Sequence, residues 1–376
     1  MTPAPPAWLG PAPGVIAHAP TSEDVLRALD HDDPGPREFA ALVSSAAGPF
    51  LEPMARRAAA LTRRHFGRTI SLYAPLYLAN LCTSGCAYCG FASDRAVARR
   101  RLEPAEVHDE LLALKAMGFE EVLLLTGERG PGAGFDYLLE CVALAARLFH
   151  CVGIEAFPMS TEEYARLARA GCTSVTLYQE TYNVRCYRTF HRWGPKADYG
   201  ERLAAPARAL QAGMRSVGLG ILLGLTDPAA DAIALLCHGT HLRRTFWRSG
   251  VTISLPRLRP EPGGFEAPFP VSEALLARIV LAFRIVWPDV PLLLSTRERP
   301  KFRDGMAGLG VTKMSAASRT TVGGYTAAAP KDEGQFRIGD ERGVAEVAAM
   351  LRGKRLEPVF KNWDRVFRDA GGDGDG

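Results

Sequence analysis

Eight short β-rich runs alternate with helical segments along most of this chain, and that alternation restricts its fold more than any other feature. The runs fall at 69–73, 121–126, 152–157, 174–178, 216–222, 251–255, 291–295 and 311–315. Between them, helical patterning covers 103–117, 136–149, 161–170, 198–212, 229–248 and 271–286. Strands separated by helices imply parallel pairing, because a parallel neighbour is reached only through a long crossover. Eight such units over about 250 residues predict an α/β fold of the (β/α)8 TIM type, whose functional groups gather at the C-terminal ends of the strands.

The chain has 376 residues, more than one barrel needs. Residues 1–20 read as a flexible Pro- and Ala-rich arm, and 21–67 as a helical N-terminal extension that starts at Thr21-Ser22-Glu23-Asp24 and holds a basic amphipathic stretch at 52–65. The barrel is expected over 68–318, a C-terminal extension closing it over 319–370, and a frayed tail over 371–376. With 47% hydrophobic residues the chain is neither disordered nor fibrous. Lys and Arg exceed Asp and Glu by 45 − 41 = 4, which gives no bulk attraction to nucleic acid or anionic membrane. No apolar run approaches the roughly 18 residues of a membrane span, and the start of the chain lacks the basic and apolar segments of a secretory signal. A cytoplasmic protein with small-molecule partners is expected.

Three of the eight cysteines sit together after the first strand, in Cys82-Thr-Ser-Gly-Cys86-Ala-Tyr-Cys89. At this spacing three thiolates can hold three irons of a [4Fe-4S] cluster and leave the fourth iron open to a chelating ligand. S-adenosylmethionine, through its amino and carboxylate groups, is the ligand associated with the spacing. A zinc knuckle would normally show a second paired motif, and none stands at a suitable distance. Thr126-Gly127-Glu128 follows the second strand, where a Gly admits a ligand to the backbone and a carboxylate can accept from a ligand ammonium. Gly218, Gly220 and Gly224 lie in and after a strand, so they leave room for a flat adenine or for close packing and do not form a dinucleotide turn. His238 and His241 read as a packed or solvated pair, Arg99-Arg100-Arg101 as a surface charge run, and Cys141, Cys151, Cys172 and Cys186 as small buried residues.

The string 72–91 around the cysteines, Leu123–Glu128, Tyr178-Gln179-Glu180-Thr181-Tyr182, Gly194-Pro195-Lys196-Ala197-Asp198-Tyr199, Pro256–Pro260, Ser295-Thr296-Arg297-Glu298 and Val322-Gly323-Gly324-Tyr325 together resemble the radical-SAM aromatic amino acid lyases, most of all the tyrosine lyases of thiamine thiazole biosynthesis. The likeness runs in order from about residue 22 to Trp363. It implies cleavage of the Cα–Cβ bond of L-tyrosine after an adenosyl radical removes hydrogen from its amine. The products would be 2-iminoacetate, p-cresol, 5′-deoxyadenosine and methionine. By the same resemblance Cys82, Cys86 and Cys89 hold the cluster, Tyr88 lies beside the adenine, Gly127 and Glu128 face the methionyl amine, and Glu180 is near the nucleoside. Tyr77 lines the substrate pocket, Arg297 clamps the substrate carboxylate, and Ser315 assists it, with Ser318 as rival. An external one-electron reductant of flavodoxin or ferredoxin type and the thiazole synthase are the implied protein partners. The amine is expected to face no strong anion, so that it can lose its proton.

Asn183 stands where these lyases usually have His after Gln-Glu-Thr-Tyr, which questions a proton-handling role there. No Cys follows Cys237, which argues against the second-cluster chemistry of the hydrogenase-maturation tyrosine lyase. Two alternatives stay open: a lyase of another aromatic amino acid such as tryptophan, and a zinc-stabilised barrel without catalysis.

Overall fold

The computed structural model describes residues 6–9, 19–326, 334–361, 363, 364 and 366. Helices α1 (Ser22–Asp30), α2 (Pro36–Val43) and α3 (Leu51–Phe66) form the N-terminal extension. The expected start of α1 is present as a capping box: the Asp24 N–H donates to Thr21 Oγ1 at 3.3 Å, and Asp24 Oδ2 accepts from the Thr21 N–H at 2.8 Å. The apolar faces of α2 and α3 lie on the barrel through a helix of its outer ring, where Phe39 meets Phe283 edge to face at 4.7 Å.

The barrel follows as β1 (Thr69–Tyr77), α4 (Pro104–Ala116), β2 (Glu121–Leu125), α5 (Phe135–Leu148), β3 (Cys151–Glu155), α6 (Thr161–Ala170), β4 (Cys172–Thr176), α7 (Val184–Phe190), α8 (Tyr199–Gln211), β5 (Ser216–Gly220), α9 (Pro228–Thr245), β6 (Gly250–Ser254), α10 (Glu273–Val286), β7 (Leu292–Leu294), α11 (Pro300–Met306) and β8 (Lys313–Ser315). All neighbouring strands are parallel, and β1 closes the circle by pairing with β8 from Ser71 to Tyr73 and with β2 from Ala74 to Tyr77. The eight strands and six helices expected from the alternation are all there. Strand β1 runs on past Tyr73 because it changes partner there, pairing with β8 up to Tyr73 and with β2 from Ala74 to Tyr77, with Pro75 inside the second segment. Helices α7 and α11, each seven residues long, were too short to give a helical period.

After β8 the chain crosses the C-terminal mouth of the barrel. The Gly323 N–H donates to the Tyr77 carbonyl at 2.9 Å, and the Tyr325 hydroxyl donates to the Pro75 carbonyl at 2.6 Å. Buried Glu110 of α4 accepts from the Tyr325 N–H at 2.7 Å and the Thr326 N–H at 3.2 Å. Further on, the buried Asp340 pairs with the buried Arg303 of α11, which also donates to the Ser315 carbonyl. Helix α12 (Val344–Gly353) and β9 (Glu357–Val359) end the extension, with β9 added in parallel beside Thr69–Ser71. Residues 371–376 and most of 1–20 lie outside the described residues, but within the arm Trp8 stacks on His238 at 4.9 Å and His241 at 4.7 Å. The histidine pair is thus packed under an aromatic ring. Among the described residues no helix is long and apolar enough to cross a membrane.

Candidate active site

One cavity opens at the C-terminal face of the barrel, and every strand of the barrel, or the segment just after it, contributes residues to it or to its adjoining chamber. The loop after β1 brings Cys82, Cys86 and Cys89 onto its wall, all three without disulfides. Gly127, just past β2, allows the neighbouring loop to abut them: a β-carbon there would come to 2.2 Å from the Leu81 carbonyl oxygen and 2.8 Å from Cys82 Cβ. Arg99 is not part of a surface charge run. Its guanidinium donates to the carbonyls of Asn80 and Phe91 at 2.8 Å and of Ala92 at 2.5 Å, so it braces the cysteine loop from behind. An arginine can do this because its fork reaches several carbonyls at once.

Tyr88 is buried, and its hydroxyl is 2.7 Å from His191 Nε2. His191 Nδ1 lies 2.7 Å from the Tyr187 carbonyl, which fixes the hydrogen on Nδ1 and makes Nε2 the acceptor for Tyr88. Burial, reinforced by the charge of Lys196, pushes the His191 pKa down to about 3, so the imidazole is neutral.

Three buried charges, Glu128, Glu180 and Arg202, and the part-buried Lys196 surround this end. Arg202 donates to Glu128 at 3.0 Å and to the Tyr178 carbonyl at 2.6 Å, and it stands 3.7 Å from Glu180. Lys196 donates to Glu180 at 2.6 Å. Burial alone would push the Glu180 carboxyl up, but Lys196 and Arg202 outweigh it and hold the group below its ordinary value. Glu180 takes a left-handed backbone, φ 67°, which turns its side chain into the cavity. Glu128 Oε2 is buried without a partner, an acceptor left over beside the cysteines.

The adjoining chamber is bounded by Tyr77, Glu155, Tyr178, Arg297, Ser318 and Phe336, among others. The Arg297 guanidinium lies 3.3 Å over the Phe336 ring, and among the described residues no carboxylate pairs with it. Ser315 and Ser318 both reach this chamber, but Ser315 Oγ accepts the Thr296 N–H at 3.1 Å, whereas Ser318 Oγ is buried without a partner. The expectation that the chamber offers no anion is corrected by Glu155, at the end of β3, which faces both the cavity and the chamber. Burial, and next the charge of Glu180, push its pKa up to about 7, against the opposing Arg297. It is therefore a proton acceptor near neutrality and not a fixed counter-ion.

Sequence reasoning also missed Lys196, Arg202, Gln335 and Phe336 as lining residues. Asn183, in contrast, stays out of the cavity: its Oδ1 accepts the Cys186 N–H at 3.0 Å and caps α7. Gly218 and Gly220 serve packing, since β-carbons there would meet Thr176 Oγ1 and the Tyr178 ring, each at 2.5 Å.

These residues fit a [4Fe-4S] cluster carrying S-adenosylmethionine. Three unpaired thiols share one wall, and the orphaned Glu128 oxygen awaits a cationic donor. Among the described residues no three His, Cys, Asp or Glu side chains converge on a single ion position of the kind zinc needs.

Residues 76–236 match the family model of the Radical SAM superfamily, and residues 254–357 match that of the Biotin and Thiamin Synthesis associated domain. Barrel, cysteine loop and family models together define a radical SAM enzyme. The chain is 40% identical over 351 residues to the 2-iminoacetate synthase of Escherichia coli K12, covering 93% of each chain. It is also 40% identical to the 2-iminoacetate synthase of Salmonella typhimurium, over 92% of this chain and 91% of the other. A crystal structure of HydG, a maturase of the [FeFe]-hydrogenase, superposes with a TM-score of 0.85 at 32% identity, covering 91% of this chain and 77% of that one. The chain belongs to the 2-iminoacetate synthase family.

Proposed function

We infer that the chain cleaves the Cα–Cβ bond of L-tyrosine to 2-iminoacetate and p-cresol, with 5′-deoxyadenosine and methionine as co-products, for the thiazole of thiamine. The observation that carries this is a set of three cysteine thiols and, in the adjoining chamber, an unpaired guanidinium, in a chain of this family. When bound, the cluster and S-adenosylmethionine supply the one-electron cleavage that starts the reaction. Cys82, Cys86 and Cys89 would hold the cluster, and Tyr88, Gly127, Glu128 and Glu180 would line the sulfonium cofactor.

Arg297 takes the substrate carboxylate in a bidentate grip, which fixes the amine within reach of the reacting carbon better than a Lys would. Ser318 adds its free hydroxyl, while Ser315 holds the Thr296 backbone that precedes the arginine. Glu155, placed between cavity and chamber, accepts a proton from the substrate ammonium. The N–H electron pair stays on nitrogen, leaving the neutral amine that hydrogen abstraction requires. Tyr77 and Phe336 wall the chamber and keep water from the reacting atoms. The enzyme acts in the cytoplasm, draws its electron from a flavodoxin- or ferredoxin-type protein, and passes the imine to the thiazole synthase.

The test is product analysis of anaerobically reconstituted protein with tyrosine and tryptophan side by side. Formation of p-cresol and glyoxylate, the hydrolysis product of the imine, supports the inference. An indole product from tryptophan, with tyrosine untouched, overturns the substrate assignment.

A further inference from the structure

Gln335 comes from the C-terminal extension, yet its side-chain amide bridges the cysteine loop and the adjoining chamber. Its Nε2 donates to Cys89 Sγ at 3.4 Å, and its Oε1 accepts from the Tyr77 hydroxyl at 2.8 Å. A cluster thiolate only accepts hydrogen bonds, so the NH2 must face the sulfur and the carbonyl must face the phenol. The backbone leaves the residue little freedom. The Gln335 N–H donates to the Thr320 carbonyl at 2.9 Å, and the Gln335 carbonyl accepts from the Gly90 N–H at 3.2 Å. A β-carbon at Gly90 would stand 2.5 Å from that carbonyl oxygen, so only glycine after Cys89 admits the contact. Tyr77 is buried, lines the substrate chamber, and meets Phe91 edge to face at 5.8 Å.

We propose that Gln335 is a positioning residue that hydrogen-bonds the Cys89 sulfur of the bound cluster and couples that sulfur, through the Tyr77 hydroxyl, to occupancy of the substrate chamber. The proposal rests on the cluster reading of the site. An N–H···S bond draws electron density from a thiolate and favours the reduced cluster. Accepting from Tyr77 polarises the amide and strengthens its donation at the other end. A substrate that fills the chamber excludes water from this chain of bonds and tightens both, so the cluster becomes easier to reduce when tyrosine is present.

The experiment poises anaerobically loaded wild-type, Q335L, Q335E and Y77F proteins against low-potential dyes. The reduced cluster is read by EPR, and exchangeable protons coupled to it by ENDOR in H2O and D2O. In Q335L the ratio of reduced to oxidised cluster at fixed poise should fall about tenfold, ~59 mV for one electron, with one exchangeable proton coupling lost. Q335E, whose carboxylate cannot donate, should lose the same coupling, and it stands in if Q335L does not fold. Added L-tyrosine should raise the ratio in wild type but not in Y77F or in the Gln335 variants. Wild-type ratio and proton coupling in a folded, iron-loaded Gln335 variant would overturn the proposal. Wild-type protein that takes up no iron would overturn the cluster reading and the proposal with it.

Discussion

The cysteine end of the cavity and its substrate end are built on opposite electrostatic terms. Around the cysteines the charges are already paired with one another: Glu128 with Arg202, and Glu180 with both Arg202 and Lys196. In the chamber beyond, Arg297 lies over the Phe336 ring with no carboxylate partner among the described residues, Ser318 Oγ is buried without a hydrogen-bond partner, and the Glu155 pKa is raised to about 7. On the proposed assignment, a cofactor that is rebound at every turnover would be met by groups that orient one another in its absence. The amino acid would be met by groups whose charged partners it must bring itself. The difference has a thermodynamic consequence: substitutions at the first end should be felt in folding, and at the second in turnover.

Arg202→Leu should show the largest effect, because it leaves Glu128 and Glu180 buried beside a single remaining cation. Breaking such a network costs about 3–5 kcal/mol, so a marked fall in Tm is expected by calorimetry, and an unchanged Tm would break the contrast. Arg297→Ala should leave Tm within a few degrees of wild type while tyrosine turnover falls about a thousandfold, ~4 kcal/mol. Uncoupled cleavage of S-adenosylmethionine should partly survive in that variant, and lyase turnover equal to wild type would remove Arg297 from the site.

Glu155→Gln sharpens the comparison through pH. Because the folded-state pKa is raised to about 7, the carboxyl is protonated below that pH and becomes a base only above it. Turnover of the wild type should therefore rise as pH increases through about 7, and the Gln variant should lose this limb and about a hundredfold in rate. A limb that persists in the variant belongs to another group. Ser318→Ala should have the smallest effect, about 1 kcal/mol seen mainly as a raised KM, with Ser315→Ala disturbing stability instead through Thr296.

The sequence made the barrel legible because the period of alternation survives in single elements, and it made the cysteine loop legible because its three cysteines fall within a span of eight residues. Residues whose meaning depends on distant segments stayed hidden. Glu155 closes the run Val152-Gly153-Ile154-Glu155, and a charged residue at the C-terminal end of an apolar strand was the one available signal for it. Arg202 looks like an ordinary charged helix residue until the fold lays α8 against the loops after β2 and β4. Gln335 and Phe336 follow the last barrel strand by some twenty residues with no periodic pattern, and only the path of the C-terminal extension across the mouth brings them to Cys89 and Arg297. Arg99 was misread because a run of three arginines resembles a solvated face, whereas its partners are backbone carbonyls that no sequence pattern marks.

The most direct test is an anaerobic crystal structure of the protein loaded with iron and sulfide, S-adenosylmethionine and L-tyrosine. The expected result is anomalous iron density held by Cys82, Cys86 and Cys89, the tyrosine carboxylate on Arg297, and its amine facing Glu155. Iron bound elsewhere, or a tyrosine whose carboxylate avoids Arg297, would contradict the assignment of the two ends.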